Sequence, residues 1–164
     1  MRVLGIDPGI DLMGFGLIEI GPGRPELIEC GVVRTSRELS TAERLAELYT
    51  DLSALLIKFG KIDVAGVEEL FFAKNVTTAF LVGQARGVIL LCLAESKLPI
   101  IEIKPVEVKQ AMTGSGNADK KEVQKMVQLN FGLSEPPQPD DAADAVAVAV
   151  AAGAMYKRNQ QQNY

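Results

Sequence analysis

Four carboxylates stand in this 164-residue sequence at positions where an acid needs a reason. Asp7 ends the run Arg2-Val3-Leu4-Gly5-Ile6-Asp7, apolar for four residues and closed by Pro8-Gly9. Such a run reads as a buried central strand. An acid at its tip lies half in the core, where an ionised carboxylate is costly unless a cation or several donors compensate it. Glu68 repeats the pattern at the end of Asp63-Val64-Ala65-Gly66-Val67-Glu68-Glu69. Asp141 and Asp144 share one helix face at spacing i, i+3, with Cβ atoms about 5–6 Å apart. Taken singly, each has an ordinary explanation: Asp7 is a favoured opener of the turn Asp7-Pro8-Gly9-Ile10, and acids in a first helical turn complement the helix dipole. Taken together they suggest more. Adjacent parallel strands bring their C-terminal ends side by side, and four converging acids match the charge of two divalent cations. Two such ions can clamp the attacking and leaving oxygens of an in-line phosphoryl displacement. Passive cation binding uses the same set, and Asp140 could replace Asp141 in register.

Composition narrows the chemistry. With no histidine and two cysteines, zinc sites and histidine-based triads are excluded. Oxygen donors favour magnesium or manganese. Cys30 and Cys92 are expected to be buried thiols rather than a bridge. The apolar stretches Ala79 to Ala94 and Ala142 to Ala154 are interrupted by Arg86 and Asp144, so no membrane span is expected. The N-terminus lacks the pattern of a signal peptide, and a cytoplasmic protein is the expectation. Seventeen basic residues against 21 acidic ones give a net charge of −4, so overall charge does not hold nucleic acid.

The elements that must position the acids follow from periodicity and punctuation. After the first strand, Leu12 to Ile20 and Glu26 to Thr35 complete an antiparallel meander around the turn Gly21-Pro22-Gly23. Ser40 or Thr41 starts a helix with Leu45, Leu48, Leu52 and Leu56 on one face, ending at Gly60. Val76 to Lys97 reads as a long helix that is apolar on nearly all sides, which calls for two partners: the sheet, and either more core or a second copy packed at Gly83 and Gly87. Pro99 to Ile103 is a fifth strand, Pro105 opens a short helix, and Asp119 caps another. The last helix spans Asp140 to Tyr156. The sequence thus predicts one α/β domain over residues 1–156, a five-stranded mixed sheet flanked by helices, with a polar tail at 157–164 expected to be disordered.

Gly5-Ile6-Asp7-Pro8-Gly9, Val67-Glu68 followed by Phe71 and Ala73-Lys74-Asn75, Gly83-Gln84-Ala85-Arg86-Gly87, Val108-Lys109-Gln110 and Asp141-Ala142-Ala143-Asp144 together resemble the RuvC family of bacterial Holliday-junction resolvases. Five separated motifs agree in order and spacing over nearly the whole chain. The resemblance implies an RNase H-like fold, a homodimer, and paired nicks in opposing strands of a four-way DNA junction. It further implies two Mg2+ ions per subunit, replaceable by Mn2+, roles in recombination and repair, and RuvA and RuvB as partners. Position by position, Asp7, Glu68, Asp141 and Asp144 match the catalytic, metal-holding acids, and Lys109 and Lys120 match basic residues that handle DNA. Two departures are Glu69, where the family often has an amide, and the extra acid Asp140.

The basic residues support that expectation on their own terms. Lys104, Lys109, Lys120, Lys121 and Lys125 fall in one region around Thr113-Gly114-Ser115-Gly116-Asn117, and Lys74 tips the loop after Glu68. Clustered lysines make a phosphate-binding stripe whatever the total charge, although Lys121 and Lys125 also fit a solvated helix face. Phe71 could stack on an unpaired base and Phe72 belong to the core. Three other classes compete. A sugar-kinase or actin-like domain also opens with a strand ending in Asp, but needs two such domains. A non-catalytic junction binder would lose an acid. A hydrolase of RNA–DNA hybrids shares the metal chemistry.

Overall fold

The computed structural model describes residues 1–70 and 76–162. In chain order the elements are β1 (Arg2–Asp7), β2 (Leu12–Glu19), β3 (Glu26–Arg34), α1 (Thr41–Phe59), β4 (Val64–Glu68), α2 (Val76–Glu95), β5 (Ile100–Ile103), α3 (Pro105–Thr113), α4 (Lys120–Phe131) and α5 (Asp140–Gln162). The sheet order is β3-β2-β1-β4-β5. The meander β1-β2-β3 is antiparallel, whereas β4 and β5 join β1 in parallel. This is the five-stranded mixed sheet flanked by helices that the sequence predicts.

Strand parity assigns the two faces. Leu4 and Ile6 of β1, Met13, Phe15 and Leu17 of β2, and Ala65 and Val67 of β4 pack into one core with α1 and α2. Val3, Ile18, Val64 and Ile103 point to the other face, into a core completed by α3, α4 and α5. Successive strand residues face opposite ways, so Asp7 follows Val3 and Gly5, and Glu68 follows Val64 and Gly66, onto the α5 face. The pairs Gly5–Gly66 and Ile6–Val67 set the register that leaves Asp7 and Glu68 side by side at the strand ends.

Glycine is the reason α5 can reach them. A Cβ placed on Gly5 would collide with Ala145 O and Ala149 N, one on Gly14 with Asp141 O, and one on Gly16 would lie 2.9 Å from Val146 Cα. At Gly66 the obstacle would be Ala152 Cβ at 2.6 Å. Three adjacent strands are bare where α5 crosses them. Its own contact residues, Ala145, Ala149 and Ala152, are small and fully buried. The helix therefore lies on the sheet backbone, and its first turn is delivered to the ends of β1 and β4.

Local signals fix the remaining boundaries. Ser40 caps α1 through a capping box with Glu43, and Asp119 does the same for α4 with Glu122. Pro105 opens α3 at its first turn. Cys92 belongs to the α1–α2 core and Cys30 to the opposite one, both as free thiols. One boundary differs from expectation. Helix α5 continues to Gln162 rather than stopping at Tyr156. Lys157 to Gln162 contains neither Gly nor Pro, and Lys, Arg and Gln are good helix formers, so a buried helix already nucleated propagates through a polar sequence. No described helix is long and apolar enough to cross a membrane.

Candidate active site

Asp7 and Glu68 are each held by a distinct local device. Behind Asp7, the turn is pinned from the side: Thr35 Oγ1 donates to Ile10 O at 2.5 Å, Arg44 Nε donates to Thr35 Oγ1 at 2.9 Å, and Asp11 is bracketed by Arg37 and Arg44. Hydrogen bonds from Arg44, then from Arg37, hold the Asp11 carboxyl below its usual range. At β4, Arg86 of α2 donates from Nε to Glu68 O at 3.1 Å and pairs with Glu102. Lys109 is presented by α3 and Lys120 by the first position of α4, whose far end is held by Arg24 donating from Nε to Asn130 O at 2.6 Å.

The four acids are brought together. Asp7 is recessed, and among the described residues none pairs with its carboxylate. Burial, then the charges of Glu68, Asp144 and Asp141, push its pKa up to about 8, with Lys120 pulling the other way. Burial and Asp144 raise Glu68 to about 7 against the pull of Lys109 and Lys120. Asp144 is likewise raised, first by burial, although Lys120 opposes the shift. Its carboxylate receives Lys120 Nζ at 2.9 Å, and Asp140 lies 3.4 Å from the same ammonium. Asp141 acts on Asp7, whereas the half-exposed Asp140 faces Lys120. Glu69, one residue beyond the strand, is not among the charges that dominate at Asp7 or Glu68.

Between these groups lies a crevice of about 190 Å3, walled by Glu68, Asp144, Lys109 and Lys120 and floored by Val108, Val123 and Ala147. A larger groove of about 550 Å3 runs between α3 and α5 past Val106, Gln110 and Met155, without any of the four acids. Two of the four acids, Glu68 and Asp144, line the smaller one. Lys121 and Lys125 turn away, to a shallow groove beside Thr113 and Met126. Phe71 and Lys74 lie outside the described residues.

The donor set fits hard divalent cations. It consists of carboxylate oxygens alone, gathered in a concave, partly apolar place where their mutual repulsion is incompletely compensated. Among the described residues, no three of these side chains are gathered tightly enough to hold an ion as they stand.

The comparisons with known proteins agree with this geometry. Residues 3–152 match the family model described as crossover junction endodeoxyribonuclease RuvC. The chain belongs to the RuvC family. The crossover junction endodeoxyribonuclease RuvC of Roseiflexus sp. (strain RS-1) is 54% identical over 149 residues, covering 91% of this chain and 88% of that one. Among solved structures, Thermus thermophilus RuvC superposes with a TM-score of 0.87 at 37% identity, over 98% of this chain and 97% of that one. The same relative solved in complex with a Holliday junction substrate gives 0.85 at 34% identity, over 97% and 96% of the two chains. The fold is accordingly RNase H-like, as the five motifs led us to expect.

Three positioning features have no counterpart in the sequence reading. The glycines of β2 were visible only as interruptions of an apolar run, although Gly inside a strand marks a close backbone approach. Arg86 interrupted an apolar helix, and a lone buried arginine implies an acceptor: here Glu68 O and Glu102. The Asp11–Arg37–Arg44 cluster joins residues far apart in sequence, and no local pattern announces it.

Proposed function

We propose that this chain resolves four-way DNA junctions by hydrolysing one phosphodiester in each of two opposing strands, with Asp7, Glu68, Asp141 and Asp144 holding two divalent cations, Mg2+ or Mn2+. The observation that carries the proposal is the convergence of these four acids on the α5 face in a RuvC-family chain. Two divalent ions bound there would supply a water nucleophile at neutral pH and neutralise charge at the attacking and leaving oxygens. The chain's own residues do the rest. Asp7 and Glu68, fixed by the paired strand ends, set one side of the site, and Asp141 and Asp144 close it from α5. Lys109 and Lys120 face the crevice mouth and meet backbone phosphates, whose contacts position DNA without reading its sequence.

Two sites per junction require two copies. Helix α2 presents Phe80 and Leu91, 66% and 54% exposed, on one face with Gly87, which has no atom near its Cβ direction. Gly83 packs beside Leu70 instead. We assign the Phe80–Gly87–Leu91 face to a homodimer contact, so that Arg86 on the same helix links assembly to Glu68. We further propose, in line with the family match, RuvA and RuvB as partners, action in recombination and repair, and a cytoplasmic location.

The deciding experiment offers the protein a mobile four-way junction and a linear duplex of equal length, with Mg2+ or with chelator, and resolves products on a denaturing gel. Symmetric nicks in the junction alone, dependent on Mg2+, are expected. Cutting of an RNA–DNA hybrid instead, or junction binding without nicks, would overturn the proposal.

The raised acids add a proton signature. With Asp7 near 8 and Glu68 near 7, cation binding at neutral pH must expel protons from the site. Apparent Mn2+ affinity should therefore tighten with pH, by roughly one to two powers of ten per pH unit below 7, and level off above about 8. Titration at several pH values checks this, and a pH-independent affinity would contradict it.

A further inference from the structure

Lysine is an unexpected residue at the first position of α4. A helix N-terminus carries partial positive charge and favours acids, so Lys120 opposes the dipole of its own helix. What compensates it is not on α4. Its ammonium reaches across to α5, 2.9 Å from Asp144 Oδ2 and 3.4 Å from Asp140 Oδ2. Asp144 is mostly buried, with 26% of its side chain exposed, while Lys120 and Asp140 are each 52% exposed at the crevice mouth. The ion pair thus sits between the candidate metal site and solvent, on a side chain with four rotatable bonds.

We infer that Lys120 is a tethered stand-in cation: in the DNA-free protein its ammonium occupies Asp144, a divalent ion must displace it, and the released ammonium passes to a DNA phosphate. The inference rests on the metal-dependent reading above and deepens it. Charge supports the exchange. Once cation binding has expelled the protons held there, four ionised acids facing the two ammoniums of Lys109 and Lys120 leave two negative charges, which one divalent ion cancels. A second ion makes the site positive, a state that an incoming phosphate stabilises. Asp140 provides the solvent-side anchor along which the ammonium can swing without leaving the crevice. Cation binding and DNA binding are then reciprocally linked through one side chain, because each favours the position of Lys120 that the other needs.

The test reads Mn2+ binding to the full-length protein by electron paramagnetic resonance of the free ion, without and with junction DNA. The proteins compared are wild type, Lys120→Gln, Lys109→Gln and Asp144→Asn. Removing the stand-in should tighten Mn2+ binding to the DNA-free protein about ten-fold in Lys120→Gln. Lys109→Gln deletes the same charge without vacating Asp144 and should change affinity less than about three-fold. Junction DNA should tighten Mn2+ binding in wild type and lose most of that effect in Lys120→Gln. Equal shifts in the two lysine variants, or weaker binding in Lys120→Gln, would overturn the inference. The two readings fail separately. Wild-type binding lost in Asp144→Asn but unaltered in Lys120→Gln sinks the stand-in alone, whereas no Mn2+ binding by wild type, with metal-independent cleavage, sinks both. Lys120 is half-exposed, so its replacement does not threaten the core.

Discussion

Asp7→Asn is expected to abolish junction cleavage while making the metal-free protein more stable. The loss should be about a thousand-fold or more in turnover, the scale seen when one member of a group that acts as a unit is removed. Asparagine keeps the shape of the side chain but offers one neutral acceptor where a hard cation needs an anionic oxygen. Stability should move the other way. Without metal, the Asp7 carboxylate is recessed, faces three other acids and lacks a described partner, so its ionisation is opposed by the fold. An amide carries no charge to desolvate and donates toward Glu68 or Asp144. A gain of about 2 kcal/mol near pH 8, or roughly 5 °C in melting temperature, is the expected size. Site acids that cost stability until a ligand arrives are a familiar trade between stability and activity.

The sign of the pH dependence follows from linkage. Asp7 moves from an ordinary 3.8 to about 8 on folding, and Glu68 from 4.5 to about 7. Between those limits the folded chain keeps protons that the unfolded chain has released, so these two groups make stability fall as pH rises from about 4 to about 8. Asp7→Asn should therefore flatten the melting profile in that window, with the largest difference from wild type at its alkaline end. Saturating Mg2+ should raise the melting temperature of wild type more than that of the variant, since a ligand that binds only the folded state stabilises it by mass action. Calorimetry across pH with and without Mg2+ checks both parts. An active variant would end the four-acid mechanism, and a variant less stable than wild type in chelator at pH 8 would show that Asp7 makes a compensating contact.

Much of this site could be read from the sequence because its logic is local. Asp7 and Glu68 each end an apolar run at a recognisable break, and Asp141 and Asp144 carry helical spacing in a helix with almost no polar face. Boundaries were legible for the same reason: Ser40 and Asp119 are caps followed at the third position by Glu43 and Glu122, and Pro105 starts its helix. What escaped depends on distance in the chain. Whether Asp140 or Asp141 faces Asp7 turns on the rotation of α5 against the sheet, which the packing of Ala145 and Ala149 on Gly5 decides. The extension of α5 to Gln162 contradicts the polar character of its last turns, because composition reports solvation and not whether a helix has already been nucleated. Lys120 on Asp144 joins two helices whose approach no periodicity encodes.

That approach makes Gly5→Ala the substitution with the largest expected effect on stability. The new methyl would collide with Ala145 O and Ala149 N, both backbone atoms of α5, so no side chain can rotate away. Relief requires lifting the helix from β1 or bending the central strand, and both disturb a core in which Val3, Val146 and Ala149 are fully buried. A cost of about 3 kcal/mol or more is expected, at the upper end for overpacking. Gly14→Ala makes a narrower prediction, because its methyl would meet Asp141 O and press on the first turn of α5, where the acids are. A displacement there of about 1 Å should cost roughly a hundred-fold in cleavage even where melting shows a folded protein. Gly21→Ala, in the β2–β3 turn with no atom within 4 Å of its Cβ direction, should be silent in both assays. If Gly5→Ala melts like wild type, α5 does not rest on the strand backbone and the placement of Asp141 and Asp144 must have another cause. If it unfolds while Gly14→Ala folds but barely cleaves, the bare strands are what deliver two of the four acids to the other two.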